Sequence, residues 1–311
     1  MRDISVIIVS WNAREHLKNC LESVRKTGGT QVREIIVVDN ASTDGSPEMV
    51  TEQYPEVVLV QSSENLGFAR ATNLGMQRAT GSLLALVNSD VIIDPDCLRR
   101  LAACLEEYED AGLVGPRVRG RDGSIQMTCR RLPTIWNTAC RMPSLDRALS
   151  GWPLLSPLQM WYWNIEHRMT VEVLGGCFWL ARRRAVEEVG GLDERFFFYS
   201  EDVDWCKRFR DAGWKILFVP EAGATHFGGG SSSNAPLRYS IEILRSNLMY
   251  WRKHHGISGR SVFYLIAIVH HGLRFVARGF LRMTGLADDE SRNKLQEHIV
   301  CLRWLLTGKG V

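Results

Sequence analysis

No two cysteines of this 311-residue chain are spaced C-x-x-C, although it contains eight. They stand singly at Cys20, Cys97, Cys104, Cys129, Cys140, Cys177, Cys206 and Cys301. A disulfide scaffold needs a small, cysteine-dense chain, so that class is excluded and buried thiols of a reducing compartment are expected. Long hydrophobic runs are lacking too. The longest, Val262 to Val269, is eight residues, against the roughly 18 of a membrane span. The opening MRDISVIIVSWN enters an apolar strand at once, without the charged and then apolar stretch of a leader, so no signal peptide is expected. A net charge of +3 gives no ground for a nucleic-acid partner. With 45% hydrophobic and 23% charged residues the chain is neither disordered nor fibrous.

The small net charge conceals an asymmetry. From Leu237 to Val311 there are 12 Lys and Arg against 5 Asp and Glu, so an acidic body carries a basic tail.

Over the first 115 residues two periods alternate. Apolar runs at Ile4–Val9, Glu34–Val38, Val57–Val60 and Leu83–Val87 read as buried strands, with Leu113-Val114 as a short fifth. Helical spacing separates them at Ala13–Lys26, Asp44–Tyr54, Phe68–Ala79 and from Asp94-Pro95 to about Tyr108, with Ser42 or Asp44 as the expected cap of the second helix. This alternation predicts βαβ units and a parallel sheet with helices on both faces. From Gly115 to about Thr170 the pattern dissolves into a Trp- and Pro-rich stretch, read as an irregular aromatic flap. Order returns with an apolar run at Val171–Ala181, short helices at Arg182–Val189 and Glu201–Ala212, and a strand at Lys215–Val219 ended by Pro220. A flexible loop is expected at Gly228–Asn234, and mostly basic helix beyond it.

Ligands of such sheets sit at the carboxyl ends of the strands. Those ends here read Ser10-Trp11-Asn12, Asp39-Asn40, Ser62 to Asn65 and Asn88-Ser89-Asp90, all able to hydrogen-bond. Asp90 is placed to hold a divalent cation against phosphate oxygens, or simply to cap a turn. Asp39 can accept from a base or a ribose. The segment Asn65-Leu66-Gly67-Phe68-Ala69-Arg70 enters a helix whose N-terminus could attract phosphate, with Arg70 adding a charge or lying solvated. Phe196 to Tyr199 run into Glu201, Asp202 and Asp204, and a carboxylate beside aromatic walls suits a general base, or an acidic helix start. His226 can ligate a cation. Gly175-Gly176 allow close approach, and Phe178 and Trp179 beside them could face a ligand or simply fill a buried strand.

These pieces in this order, VSWN at 9–12, VDNASTDGS at 38–46, NLGFARATNLG at 65–75, NSD at 88–90 and FFFYSEDVDWCKRFRDAGWKILFVP at 196–220, resemble the family 2 inverting glycosyltransferases, in their rhamnosyltransferase-like branch. The resemblance covers about residues 3 to 255. It implies an α/β, GT-A type, Rossmann-like mixed sheet flanked by helices. Residues 1–236 would be catalytic, with a nucleotide-binding half (1–115) and an acceptor and metal half (116–236), and 237–311 a helical basic extension. It implies nucleoside binding by Asp39, and a nucleotide-sugar site lined by Ser10, Asn12, Asn65, Arg70, Asn73, Asn88, Ser89 and Trp179. Asp90 and His226 would hold Mg²⁺ or Mn²⁺, and Asp202, paired in sequence with Glu201, would be the catalytic base. The D-x-D motif departs from its pattern, since Asn88 replaces one carboxylate. The donor would be dTDP-rhamnose or a UDP-sugar, and the acceptor a saccharide or lipid-linked saccharide of cell-surface polysaccharide synthesis. The enzyme would be cytoplasmic, with residues 238–282 able to lie on the inner face of the membrane as an amphipathic surface. A sugar nucleotidyltransferase would need a Gly-rich basic loop where Val9-Ser10-Trp11-Asn12 stands. A non-catalytic sugar- or nucleotide-binding protein of the same fold is the other alternative.

Overall fold

The computed structural model describes residues 3–141, 165–228, 236–284 and 289–309. Residues 142–164 of the expected flap therefore lie outside the described residues, as does nearly all of the expected loop at Gly228–Asn234. The described residues within Met1–Leu132, Gln159–Phe197 and Glu201–Ser231 form one compact unit. Those within Pro133–Leu158, Phe198–Ser200 and Ser232–Val311 form a second.

The first unit is built on a mixed sheet. Its strands are β1 (Ile4–Ser10), β2 (Val32–Asp39), β3 (Val58–Gln61), β4 (Leu83–Asn88), β5 (Val91–Ile93), β6 (Ala111–Arg119), β8 (Met169–Thr170), β10 (Phe178–Arg182) and β11 (Lys215–His226), in the order β3-β2-β1-β4-β10-β6-β11-β5 with β8 beside β11. A separate antiparallel pair joins β7 (Cys129–Arg130) to β9 (Val173–Leu174). The half β3-β2-β1-β4 is parallel, as the alternation predicts. β10 then runs antiparallel between β4 and β6, β11 returns parallel to β6, and β5 closes the edge antiparallel to β11.

Helices α1 (Arg14–Thr27), α2 (Ser46–Gln53), α3 (Gly67–Arg78), α4 (Cys97–Glu107), α6 (Arg183–Val189) and α7 (Glu201–Asp211) belong to the same unit. β1 is buried nearly throughout, because helices cover both of its faces. On one face Ile4, Val6 and Ile8 join Leu17 and Leu21 of α1 and Leu101 and Leu105 of α4 in a single core. Each such side chain contributes about 1.5–3 kcal/mol on burial. On the other face Gly75 of α3 meets Ile7 so closely that a β-carbon would fall 2.4 Å from the Ile7 Cγ2.

Several elements differ from expectation. β6 is nine residues long rather than two. β5 is too short to carry a period and exists because β11 pairs with it. The run Val171–Ala181 breaks at Gly175-Gly176 into β9 and β10. Pro220 does not end β11: the register with β6 jumps between Val219 and Gly223, so a bulge takes up the residue that lacks a donor, and the strand continues to His226. Neither Ser42 nor Asp44 occupies the cap position of α2; Gly45 does, at φ 81°. Asp44 still serves two helices, accepting from Ser46 N–H at 3.1 Å and from Arg14 N–H, at the start of α1, at 2.8 Å.

The second unit contains α5 (Ile135–Arg141), α8 (Pro236–Met283) and α9 (Asp289–Thr307). Gly256, at φ 69° and ψ −163°, breaks α8 into two helical segments with a conformation open to glycine. The stripe Ile241, Leu244, Leu248 and Trp251 is buried. Segments 133–141 and 198–200, within the stretch 116–236 read as the acceptor and metal half, group with these helices. No helix among the described residues is long and apolar enough to cross a membrane. All eight cysteines are buried and unbridged.

Candidate active site

The carboxyl ends of β1 and β2 lie side by side, with Ser10 in register with Asp39. Asp39 is only 3% exposed. Its Oδ2 accepts from Ser42 N–H at 3.0 Å, but its Oδ1 and the Ser10 Oγ are buried without a hydrogen-bond partner. Buried polar atoms are normally satisfied, so two such acceptors at adjacent strand ends mark a place where a ligand supplies donors. Around them the loop is strained: Asn12 and Ala41 hold φ at 48° and 64°.

Other members of the expected nucleotide-sugar lining are engaged with the protein. Asn12 Oδ1 accepts from Thr43 N–H at 2.8 Å, and Asn12 N–H donates to Ser42 Oγ. Asn65 Oδ1 accepts from Asn40 Nδ2 and from Gly67 N–H. Asn73 ties α3 to the 192–194 turn through both ends of its amide. Arg70 is exposed and lies 3.8 Å from Glu194. At the N-terminus of α3 two N–H groups are already engaged within the protein, Gly67 with Asn65 Oδ1 and Phe68 with the Phe197 carbonyl at 2.8 Å. Gly67 permits that approach: it holds φ 76°, and a β-carbon there would lie 2.4 Å from the same carbonyl.

At the end of β4, Asn88 N–H donates to the Cys177 carbonyl, and Ser89 and Asp90 are buried. β11 delivers His226 opposite Val91, so that its Nε2 lies 3.3 Å from Asp90 Oδ1. Gln126, which the sequence reading did not single out, orients the ring. Its Nε2 donates to the His226 carbonyl at 2.9 Å, which leaves Oε1 to accept from Nδ1–H at 3.0 Å. That leaves Nε2 as the ring nitrogen turned toward the carboxylate, and in the neutral tautomer it offers a lone pair there. Two acceptors so disposed are stabilised by a cation shared between them, and a ring whose far nitrogen is held by an amide is the usual arrangement of a ligating histidine. The donor set fits a divalent cation.

β10, antiparallel to β4, begins where β4 ends, so the turn at Gly175-Gly176-Cys177 lies at the same edge of the sheet. A β-carbon on Gly176 would come 3.4 Å from the Asp202 Cβ. The Cys177 thiol is pushed up by burial and then by the Asp90 charge, with Asp202 adding to it. Asp202, with a side chain 13% exposed, ion-pairs through Oδ2 with Arg130 of β7 and accepts from Val203 N–H through Oδ1. Neighbouring Glu201 is wholly buried, with Oε2 unpartnered. Burial, and then the Asp202 charge, push its carboxyl up to about 8. Just before it, Tyr199 and Ser200 hold φ at 70° and 64°.

Trp179 corrects an expectation. It is fully buried, donates its indole N–H to the Leu174 carbonyl and packs on Trp205 at 5.4 Å, so its ring cannot stack on a sugar. Phe178 is buried as well.

A parallel half joined to a mixed half, with acids gathered at the carboxyl edge of the sheet, is an architecture of GT-A type. Residues 5–190 match the model described as Glycosyl transferase family 2, and the chain belongs to that family and is a glycosyltransferase. It is 27% identical over 282 residues to the N-acetylglucosaminyl-diphospho-decaprenol L-rhamnosyltransferase of Mycobacterium tuberculosis, covering 81% of this chain and 85% of that protein. Among solved structures it resembles the mannosyltransferase PcManGT of Pyrobaculum calidifontis, in complex with GDP-Man and Mn²⁺, at TM-score 0.58 and 16% identity over 99% of this chain and 90% of that one. It also resembles GalNAc-T7 with UDP, GalNAc and Mn²⁺, at TM-score 0.55 and 16% identity, covering 78% of this chain and 48% of that one. These likenesses fix the fold as GT-A.

Proposed function

We propose that the protein transfers L-rhamnose, with inversion, from a nucleotide-sugar such as dTDP-rhamnose to a lipid-linked saccharide in cell-surface polysaccharide synthesis. The observation that carries this reading is the convergence of Asp39, Asp90, His226 and Asp202 at one edge of the sheet. The sugar and acceptor in the name of the mycobacterial relative support the choice of rhamnose and of a lipid diphosphate acceptor. A UDP-sugar is the alternative donor in this reading.

In this reading Ser10 Oγ and Asp39 Oδ1 bind the base or ribose of the donor. Asn12, Asn65 and Asn73 hold the loops around it. Asp90 and His226 hold Mg²⁺ or Mn²⁺, which when bound neutralises the charge gathering on the departing diphosphate. Asp202 takes the proton of the acceptor hydroxyl, and that oxygen attacks the anomeric carbon opposite the leaving group. Arg130 positions the Asp202 carboxylate. Asp202→Asn is expected to lower turnover about 10²–10⁴-fold while nucleotide affinity is kept. Unchanged turnover removes Asp202 as the base.

The lipid-linked acceptor agrees with a face of α8. Leu265, Val269, Leu273, Val276 and Phe280 follow helical spacing and are 58–66% exposed. Arg274, Arg278 and Arg282 accompany them. An exposed apolar stripe with basic flanks suits the surface of an anionic bilayer, each cation adding about 1 kcal/mol. The wild type is expected to float with vesicles containing anionic lipid, and a Leu273→Glu/Val276→Glu variant to remain behind. Equal partitioning of the two overturns the membrane reading.

A further inference from the structure

The second unit holds a cluster of imidazoles that transfer does not use. His270 and His271 are consecutive on α8, and His298 lies on α9, which packs along it. His271 and His298 are 7% and 8% exposed, and His270 is half-buried. Their Nδ1 atoms stand 3.0 Å apart. One ring nitrogen from each of the three histidines lies within 4.8 Å of the other two. The surrounding positions are those of an ordinary helix pair, with Phe263, Ala267, Leu295 and Cys301 buried. Apolar side chains would fill such a seam at lower desolvation cost than three imidazoles. A pair of neutral rings whose nitrogens meet can share one proton, and the third ring brings a further ligand atom to the same point.

We propose that His270, His271 and His298 form a binding site for a borderline divalent transition-metal ion of the Zn²⁺ class, which ties α9 to the second segment of α8. Three converging imidazoles are the donor set of that class, whereas Mg²⁺ and Mn²⁺ prefer oxygen ligands. At metal–nitrogen distances of about 2.0–2.1 Å, tetrahedral nitrogens are separated by about 3.4 Å. The 3.0 Å Nδ1 pair, with a nitrogen of each ring within 4.8 Å of the others, reaches that spacing by small side-chain rotations. Burial holds His271 and His298 in the neutral form that ligates. Arg274, Arg278 and Lys294 lie about His298 and favour an anion as the fourth ligand. The site shares no residue with Asp90 and His226, so it stands whether or not the transfer reaction is as proposed.

The test uses the full chain, stripped with chelator and titrated with Co²⁺ and with Zn²⁺. One equivalent of Co²⁺ should develop the intense visible absorption of a tetrahedral site, Zn²⁺ should displace it, and Zn²⁺ should raise the unfolding midpoint. His298→Asn should weaken binding about tenfold or more. His270→Ala, which leaves the buried pair in place, should do the same and guards against a variant that fails to fold. An Asp90→Asn/His226→Gln variant should keep the Co²⁺ spectrum. No tetrahedral spectrum in the wild type, or one that survives both His298→Asn and His270→Ala, overturns the proposal. So does a spectrum lost only with Asp90 and His226.

Discussion

Replacing Asp39 by Asn separates a ligand-binding carboxylate from a structural one. In the free protein Asp39 Oδ1 is buried without a partner, while Oδ2 holds the Ser42 N–H. An asparagine keeps the Ser42 bond through its carbonyl oxygen and puts a neutral amide where the bare oxygen stood. Leaving a buried acceptor unsatisfied costs about 1–3 kcal/mol, more when it is charged. Removing the charge should therefore leave the unfolding midpoint unchanged or raise it. Binding should move the other way. A hydrogen bond to a charged acceptor contributes about 1.5–3 kcal/mol, so its loss should raise the nucleotide Kd by about 10- to 150-fold. Calorimetric titration with dTDP and UDP in the presence of Mn²⁺ measures the affinity, and thermal unfolding of the free protein measures the rest. The reasoning is refuted if both nucleotides bind the variant within twofold of the wild type, or if the variant loses stability in step with affinity.

Gln126→Leu should weaken Mn²⁺-dependent nucleotide binding about 10- to 100-fold, because it removes the amide that orients His226. Titration of Mn²⁺ at fixed nucleotide reads this, and an unaltered Mn²⁺ dependence counts against a cation at Asp90 and His226. Glu201 predicts a pH dependence of stability. Its folded carboxyl is raised from 4.5 to about 8, so the folded state binds the extra proton between those values. Its contribution is fully present below about 4.5 and is lost as pH rises toward 8. Unfolding midpoints across that window should fall less steeply for Glu201→Gln than for the wild type, and parallel curves would show that Glu201 is ionised in the fold.

The sequence by itself determined the parallel half of the sheet. Continuous apolar strands alternating with amphipathic helices are a local pattern, and Ile4–Ser10 has no other way to be buried on both faces. It also placed Asp39 and Asp90 at strand ends, since a polar residue directly after a buried run marks the edge of the sheet. What it could not carry was pairing across long separations. β5 has three residues and no period of its own, and β11 passes through Pro220 only because a bulge against β6 absorbs that residue. Those two facts bring His226 within 3.3 Å of Asp90, and Gln126, a hundred residues away in sequence, orients it. Burial decided the rest. Trp179 and Phe178 read alike as sugar platforms or as core until the neighbours of β10 were in place. The amides of Asn65 and Asn73 likewise found their partners inside the protein. A side chain's type states what chemistry it can perform, and only packing across the chain decides whether that chemistry faces a ligand or the interior.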